Sequence, residues 1–147
     1  MYSSVHGVTG AIIMVAAPSP IIGIPLAFVS HFLLDYIGES SIGDKKQSST
    51  IEGSLLLAFI IASLYSNFAW LALIGWVVGN LPDLIDKPNN WFRGKKQWFS
   101  CHDGKGLFQY KGKKLGYPVM VGISREQTLI VNMASVLLWC LIVIISK

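Results

Sequence analysis

The chain has 147 residues, 52% of them hydrophobic and only 14% charged, with a net charge of +4; an ordinary soluble domain carries about 25% charged residues. The twelve basic and eight acidic residues all lie outside positions 1–34, 53–82 and 127–146, and such long uncharged, apolar stretches leave too little polar surface to cover a soluble core. A coiled coil, an acidic disordered tail and a large multidomain enzyme are excluded, and an integral membrane protein of all-α class is expected.

In chain order, 5–17 reads as a short apolar helix that Pro18-Ser19-Pro20 interrupts. Ser19 can then cap, and Pro20 can open, a second helix running to Ile37, kinked at Pro25 and ended by Gly38. The start of the chain lacks the basic run of a signal peptide, so the first segment is expected to be retained. Residues 39–50 form a polar loop, with Ser49 or Thr50 as the cap of the next helix.

The stretch 51–81 allows two readings. One is a single helix, roughly 46 Å long at 1.5 Å per residue and too long for a ~30 Å hydrocarbon core. The other turns at Ser66-Asn67 into helices over 51–65 and 68–81. With two N-terminal hairpins, the chain start, the Lys45-Lys46 loop and the main basic loop share one side. With single spans, Lys45 and Lys46 lie opposite that loop. The tendency of Lys and Arg to stay cytoplasmic favours hairpins, although helices of this length are short for full spans.

Residues 87–126 make a basic polar loop region that carries nine of the twelve Lys and Arg, from Lys87 to Arg125. It contains a glycine-rich, loosely alternating segment that suggests a small β-hairpin around Lys111–Lys113. The clustering fits cytoplasmic polar loops better than nucleic-acid binding, and no nucleic-acid partner is expected. Trp91, Trp98 and Phe99 suit a membrane-interface belt. Cys101 and Cys140 offer neither a disulfide framework nor a CxxC metal motif. Residues 127–147 hold the clearest transmembrane helix. The expected division is 1–86 membrane-embedded with the site, 87–126 loop region and 127–147 terminal span.

Ionisable groups inside or bordering membrane segments call for a reason. His31 and Asp35 are spaced i, i+4 and share a helix face. His6 lies about a dozen residues before the turn at Ser19 and His31 about a dozen after it, so an antiparallel pair of helices brings both to one height. Asp83 and Asp86, in GNLPDLIDKP, emerge at the same level, and His102 with Asp103 can fold back from the loop. Each piece has a plain structural explanation: a packed histidine, a helix–helix polar contact, a helix stop. Their convergence favours a metal site. Mixed His and Asp ligands suit zinc best, with manganese or iron as alternatives. His6, His31, Asp35, Asp83 and His102 are the candidate ligands. Asp86 or Asp103 is the candidate general base or partner of a ligand imidazole. Such a site lowers the pKa of a bound water and polarises an ester or phosphoester oxygen, while nearby Lys and Arg neutralise a phosphate at the bilayer surface.

The early His6-Gly7, SHFLLD at 30–35 and GNLPDLID at 79–86, followed by a loop histidine, resemble the small membrane-bound metal-dependent hydrolases distantly similar to zinc-dependent phospholipase C. The resemblance covers most of 6–103. It implies an all-helical membrane fold and hydrolysis of an ester or phosphoester, with His6, His31, Asp35 and Asp83 as ligands and Asp86 as a further one. Members of that family often carry a Pro-His soon after HxxxD, where this chain reads Tyr36-Ile37-Gly38-Glu39; Glu39 is the nearest substitute. The Thr-His-Ser segment of better-known members is also missing.

Two other functions are compatible with the sequence. One is a non-enzymatic membrane adaptor whose basic loop binds anionic lipid or a protein partner. The other is a small ion or metal transporter, against which stand the uncharged turns at 18–20 and 66–67.

Overall fold

The computed structural model describes residues 3–35, 37–38, 45–85, 108–110, 113–115, 121–122 and 124–146. The described fold is helical: α1 (Ser3–Ala16), α2 (Pro20–Leu34), α3 (Lys45–Leu64), α4 (Ala69–Gly79), a short α5 over 81–85 and α6 (Arg125–Ile145). Strands are limited to two minimal ladders. β1 (Ile37–Gly38) pairs in parallel with β4 (Val121–Gly122), and β2 (Phe108–Tyr110) pairs antiparallel with β3 (Lys113–Leu115), Phe108 opposite Leu115.

Local chemistry accounts for most helix ends. Ser19 is extended and Pro20 occupies the first turn of α2, where a missing N–H costs nothing. Ser124 opens α6 with a reciprocal capping box, its hydroxyl accepting from Gln127 N while Gln127 Oε1 accepts from Ser124 N. Two expected boundaries are corrected. α2 ends at Leu34, with Asp35 as C-cap, and not at Ile37. α3 begins at Lys45, so Ser49 and Thr50 lie inside it instead of capping it; 45–52 contains no Gly or Pro to stop a helix. The stretch 51–81 is broken at 65–68 and does not form one long helix.

Contacts between named residues set the directions. Gly10 faces Gly75, and Gly79 faces the carbonyl of His6, so α1 and α4 run antiparallel in backbone contact. Met14 Sδ lies against Gly23 while His6 meets His31, so α1 and α2 are antiparallel as well. Glu52, two turns into α3, accepts from Ser3 N and Oγ, at 2.8 and 2.6 Å, and ties α3 to the start of α1. Ser4 donates to Asn132, and Trp139 Nε1 donates to Ser63 Oγ at 2.9 Å, which lays α6 parallel to α3. α4 packs mainly on α1 and α3 on α6, while α3 and α4 meet each other little.

A small core of Val8, Ala11, Phe59, Ala72, Val136, Trp139 and Val143 sits between these helices. Large apolar side chains point outward on every side, including Ile21, Leu33, Trp70, Leu137 and Ile144. Among the described residues, α6 is the one helix long and apolar enough to cross a membrane.

Candidate metal centre

The helix directions bring the N-terminus of α1 and the C-termini of α2 and α4 to one end of the bundle. His6, His31 and Asp35 meet there. Both imidazoles are fully buried, and their rings stack with centroids 3.9 Å apart. His6 Nε2 is 3.2 Å from Asp35 Oδ1, and His31 Nε2 is 3.3 Å from Asp35 Oδ2. One donor atom from each of the three residues lies within 4.8 Å of the others.

The backbone of α4 fixes the state of His31. Its Nδ1 is 2.8 Å from the carbonyl oxygen of Gly79. A carbonyl can only accept, so Nδ1 carries the hydrogen and Nε2 of the neutral ring presents a lone pair toward Asp35. A lone pair facing a carboxylate oxygen is repulsive unless a proton or a metal ion lies between them. His6 stands beside it, and a proton on either ring or a metal ion shared by the three would relieve the repulsion. His6 Nε2 lies at ion-pair distance from Asp35 without reaching hydrogen-bond geometry, and neither ring nitrogen has a hydrogen-bond partner among the described residues. Protonating both rings would stack two cations in a buried site. One divalent cation shared by two imidazoles and a carboxylate serves all three groups. Tetrahedral bonds of about 2.0–2.1 Å imply ligand–ligand edges of roughly 3.3 Å; the two N–O separations are of that size but run to different oxygens of Asp35.

Two glycines permit this closeness. A Cβ on Gly79 would run into the His6 carbonyl oxygen, and one on Gly75 into the backbone of Gly10. The spacing Gly75-x-x-x-Gly79 in an apolar segment is the available signal for this contact, and a reading based on charge and segment length passes over it. The Gly79 carbonyl is likewise a site element that no charge pattern marks, and Trp76 and Asn80 pack on Gly7 beside it. Asn80 Nδ2 donates to Trp76 O at 2.9 Å, while Asn80 Oδ1 and Trp76 Nε1 are buried without a hydrogen-bond partner among the described residues.

Of the other sequence candidates, only Asp83 falls among the described residues. Asp83 is buried on α5, four residues beyond Gly79, and is not one of the three converging residues. Asp86, His102, Asp103 and Glu39 lie outside the described residues, as do Trp91, Trp98, Phe99 and most of the basic loop. The donor set of two histidines and one aspartate could hold a metal ion. It is shared by zinc hydrolytic sites and by iron(II) sites, so it does not identify the metal. No family model, curated protein or solved structure matches the chain.

Proposed function

We propose that the chain is an integral membrane protein that holds one divalent metal ion through His6, His31 and Asp35 and hydrolyses an ester or phosphoester at the bilayer interface. The observation that carries the reading is the buried convergence of these three side chains, with the His31 tautomer set by the Gly79 carbonyl. Three protein ligands leave coordination positions free for water and substrate, as catalytic sites require and closed structural sites do not. A divalent ion held there would supply Lewis acidity and an acidified water.

The rest is the work of the chain. The Gly79 carbonyl orients His31, Asp35 offsets the cation's charge, and the surrounding helices keep bulk water away from the imidazoles. Asp83, together with Asp86 or Asp103, is the candidate source of a further ligand or base. The Lys and Arg of 87–126 supply charge for a phosphate group. The lipid-facing apolar surface and the apolar span α6 support the membrane setting, with the polar loops on the cytoplasmic side.

The test begins with elemental analysis of detergent-purified protein. Wild type should carry about one transition-metal ion per chain, and His31→Ala or Asp35→Asn should carry none. Hydrolysis of chromogenic phosphodiesters and of phospholipid in mixed micelles should follow metal content. Metal retained by both variants would point instead to an adaptor acting through its basic loop. A metal-loaded protein inert to every ester would leave a binding site and remove the hydrolase.

A further inference from the structure

Three tryptophans fall among the described residues, and two of them face into the bundle. Trp139 is fully buried and donates through Nε1 to Ser63 Oγ, and Trp76 packs on Gly7. Trp70 does neither. It is 79% exposed, and Tyr65, on the other side of the same turn, is 68% exposed.

Both aromatics flank the turn between α3 and α4. Tyr65 follows the last residue of α3, and Trp70 is the second residue of α4. The turn is closed by its own backbone, Tyr65 N and Ser66 N donating to the carbonyls of Ala62 and Ser63. Its polar members, Ser66 and Asn67, carry no charge. Away from the turn the outward residues are aliphatic, Leu57 and Ile61 on α3 and Ile74 and Val77 on α4. An apolar surface that ends in tyrosine and tryptophan, and then in uncharged polar residues, follows the order met on passing from hydrocarbon to lipid headgroups.

The other end of α3 differs in kind. It opens with Lys45-Lys46, and its 20 residues extend about 30 Å, the thickness of a hydrocarbon core. Cations at one end and aromatics at the other, separated by that length, match a bilayer whose basic side is cytoplasmic. A protein partner would call for a bounded apolar patch, whereas large apolar side chains point outward from α2, α3, α4 and α6 alike.

We infer that Tyr65 and Trp70 anchor the α3–α4 turn in the headgroup layer of the leaflet opposite the basic loops, the lipid interface being the partner of this surface. This rests on the membrane reading, and it goes beyond that reading by naming the residues that hold the far side.

The test uses full-length protein in phosphatidylcholine vesicles whose acyl chains carry bromine, a quencher of tryptophan fluorescence, either near the glycerol or near the chain end. Subtracting the emission of Trp70→Phe from that of wild type isolates Trp70. Its emission should be quenched at least about twofold more by shallow bromine than by deep bromine. Equal quenching by both, or stronger quenching by deep bromine, would put the turn in the hydrocarbon and overturn the inference. Quenching by iodide on both sides of the membrane but not by lipid would put the turn in water, and protection from both quenchers would mean a protein partner; either result also overturns it. If Trp70→Phe fails to fold, Tyr65→Trp reports the same level through the emission it adds to wild type. Leu137→Trp separates this inference from the membrane reading. Leu137 is 65% exposed near the middle of α6, so the emission added there should be quenched most by deep bromine. If lipid quenches neither position, both readings fall; if only Leu137→Trp behaves as stated, the anchor alone is lost.

Discussion

At the scale of single residues, the centre is defined by which atoms already have their hydrogens placed. His31 Nδ1 donates to Gly79 O, so only its Nε2 remains to ligate, and Nε2 is the atom that faces Asp35. Both imidazoles must be unprotonated to bind a cation, which makes protons competitors for the site. Metal affinity is therefore expected to fall as pH drops, the plot of log affinity against pH steepening to a slope of about two in acid, one proton per histidine. A chelator titration at several pH values measures this, and a flat profile would exclude imidazole ligation. Asp35→Asn tests the carboxylate separately. It keeps the side chain's size and removes its charge, and it should cost more than the roughly 100-fold that loss of an outer-shell contact brings. His6, His31 and Asp35 are legible in the sequence because two simple periodicities coincide there: one helical turn separates His31 from Asp35, and similar counts of residues separate His6 and His31 from the Pro18-Ser19-Pro20 break. Asn80 and Trp76 are not legible, because a buried asparagine beside a tryptophan in an apolar run carries no pattern until its neighbours are known.

At the scale of elements, the site depends on how closely α1 and α4 approach. Their contact is backbone on backbone, Gly10 against Gly75 and Gly79 against His6, an arrangement that suits a membrane, where close packing and not water exclusion drives helix association. Gly79→Val places carbon on the His6 carbonyl and has no flexible side chain to displace. It is expected to destabilise the protein by about 1–3 kcal/mol and to lower metal content with it, because the same residue supplies the carbonyl that holds His31. Thermal unfolding in detergent beside elemental analysis checks both effects. The comparison is Gly53→Ala on α3, where an added Cβ meets nothing within 4 Å; replacing an exposed helical glycine should stabilise by about 0.4–1 kcal/mol. Helix starts are readable where a cap or a proline marks them, as at Ser19-Pro20 and at Ser124. Pairings are not, because α2 and α4 are apolar nearly all round and no stripe of hydrophobic residues selects a partner face. The start of α3 is misjudged from sequence because Ser49 and Thr50 look like caps, whereas the Thr50 carbonyl accepts from Ser54 Oγ one turn on, within a continuing helix.

At the scale of the whole molecule, the contacts sort the helix ends into two sets. The starts of α1, α3 and α6 and the ends of α2 and α4 lie together with His6, His31 and Asp35. The turns at 17–19 and 65–68 and the end of α6 lie at the opposite pole. The connections at 36–44 and 86–123 leave from and return to the first pole, so under the proposed membrane reading the rule that basic loops stay cytoplasmic would put His6, His31 and Asp35 on the cytoplasmic side. The lengths set a further condition. α6, at 21 residues, extends about 31 Å and matches a hydrocarbon core, whereas the 14 residues of α1 reach only about 21 Å. In the proposed membrane setting the turn between α1 and α2 would then stop short of the far surface, where the bilayer would thin or water enter. Single cysteines introduced after replacing Cys101 and Cys140 put this to measurement with a membrane-impermeant thiol reagent. Ser124→Cys and Gln47→Cys should react only after the cytoplasmic side is opened. Ser146→Cys should react from outside at once, and Ser19→Cys from outside but more slowly, because its turn is recessed. If Ser19→Cys were instead labelled together with Gln47→Cys from the cytoplasmic side, α1 and α2 would not enter the bilayer as a returning pair. The two imidazoles would then have no membrane-bounded site to share.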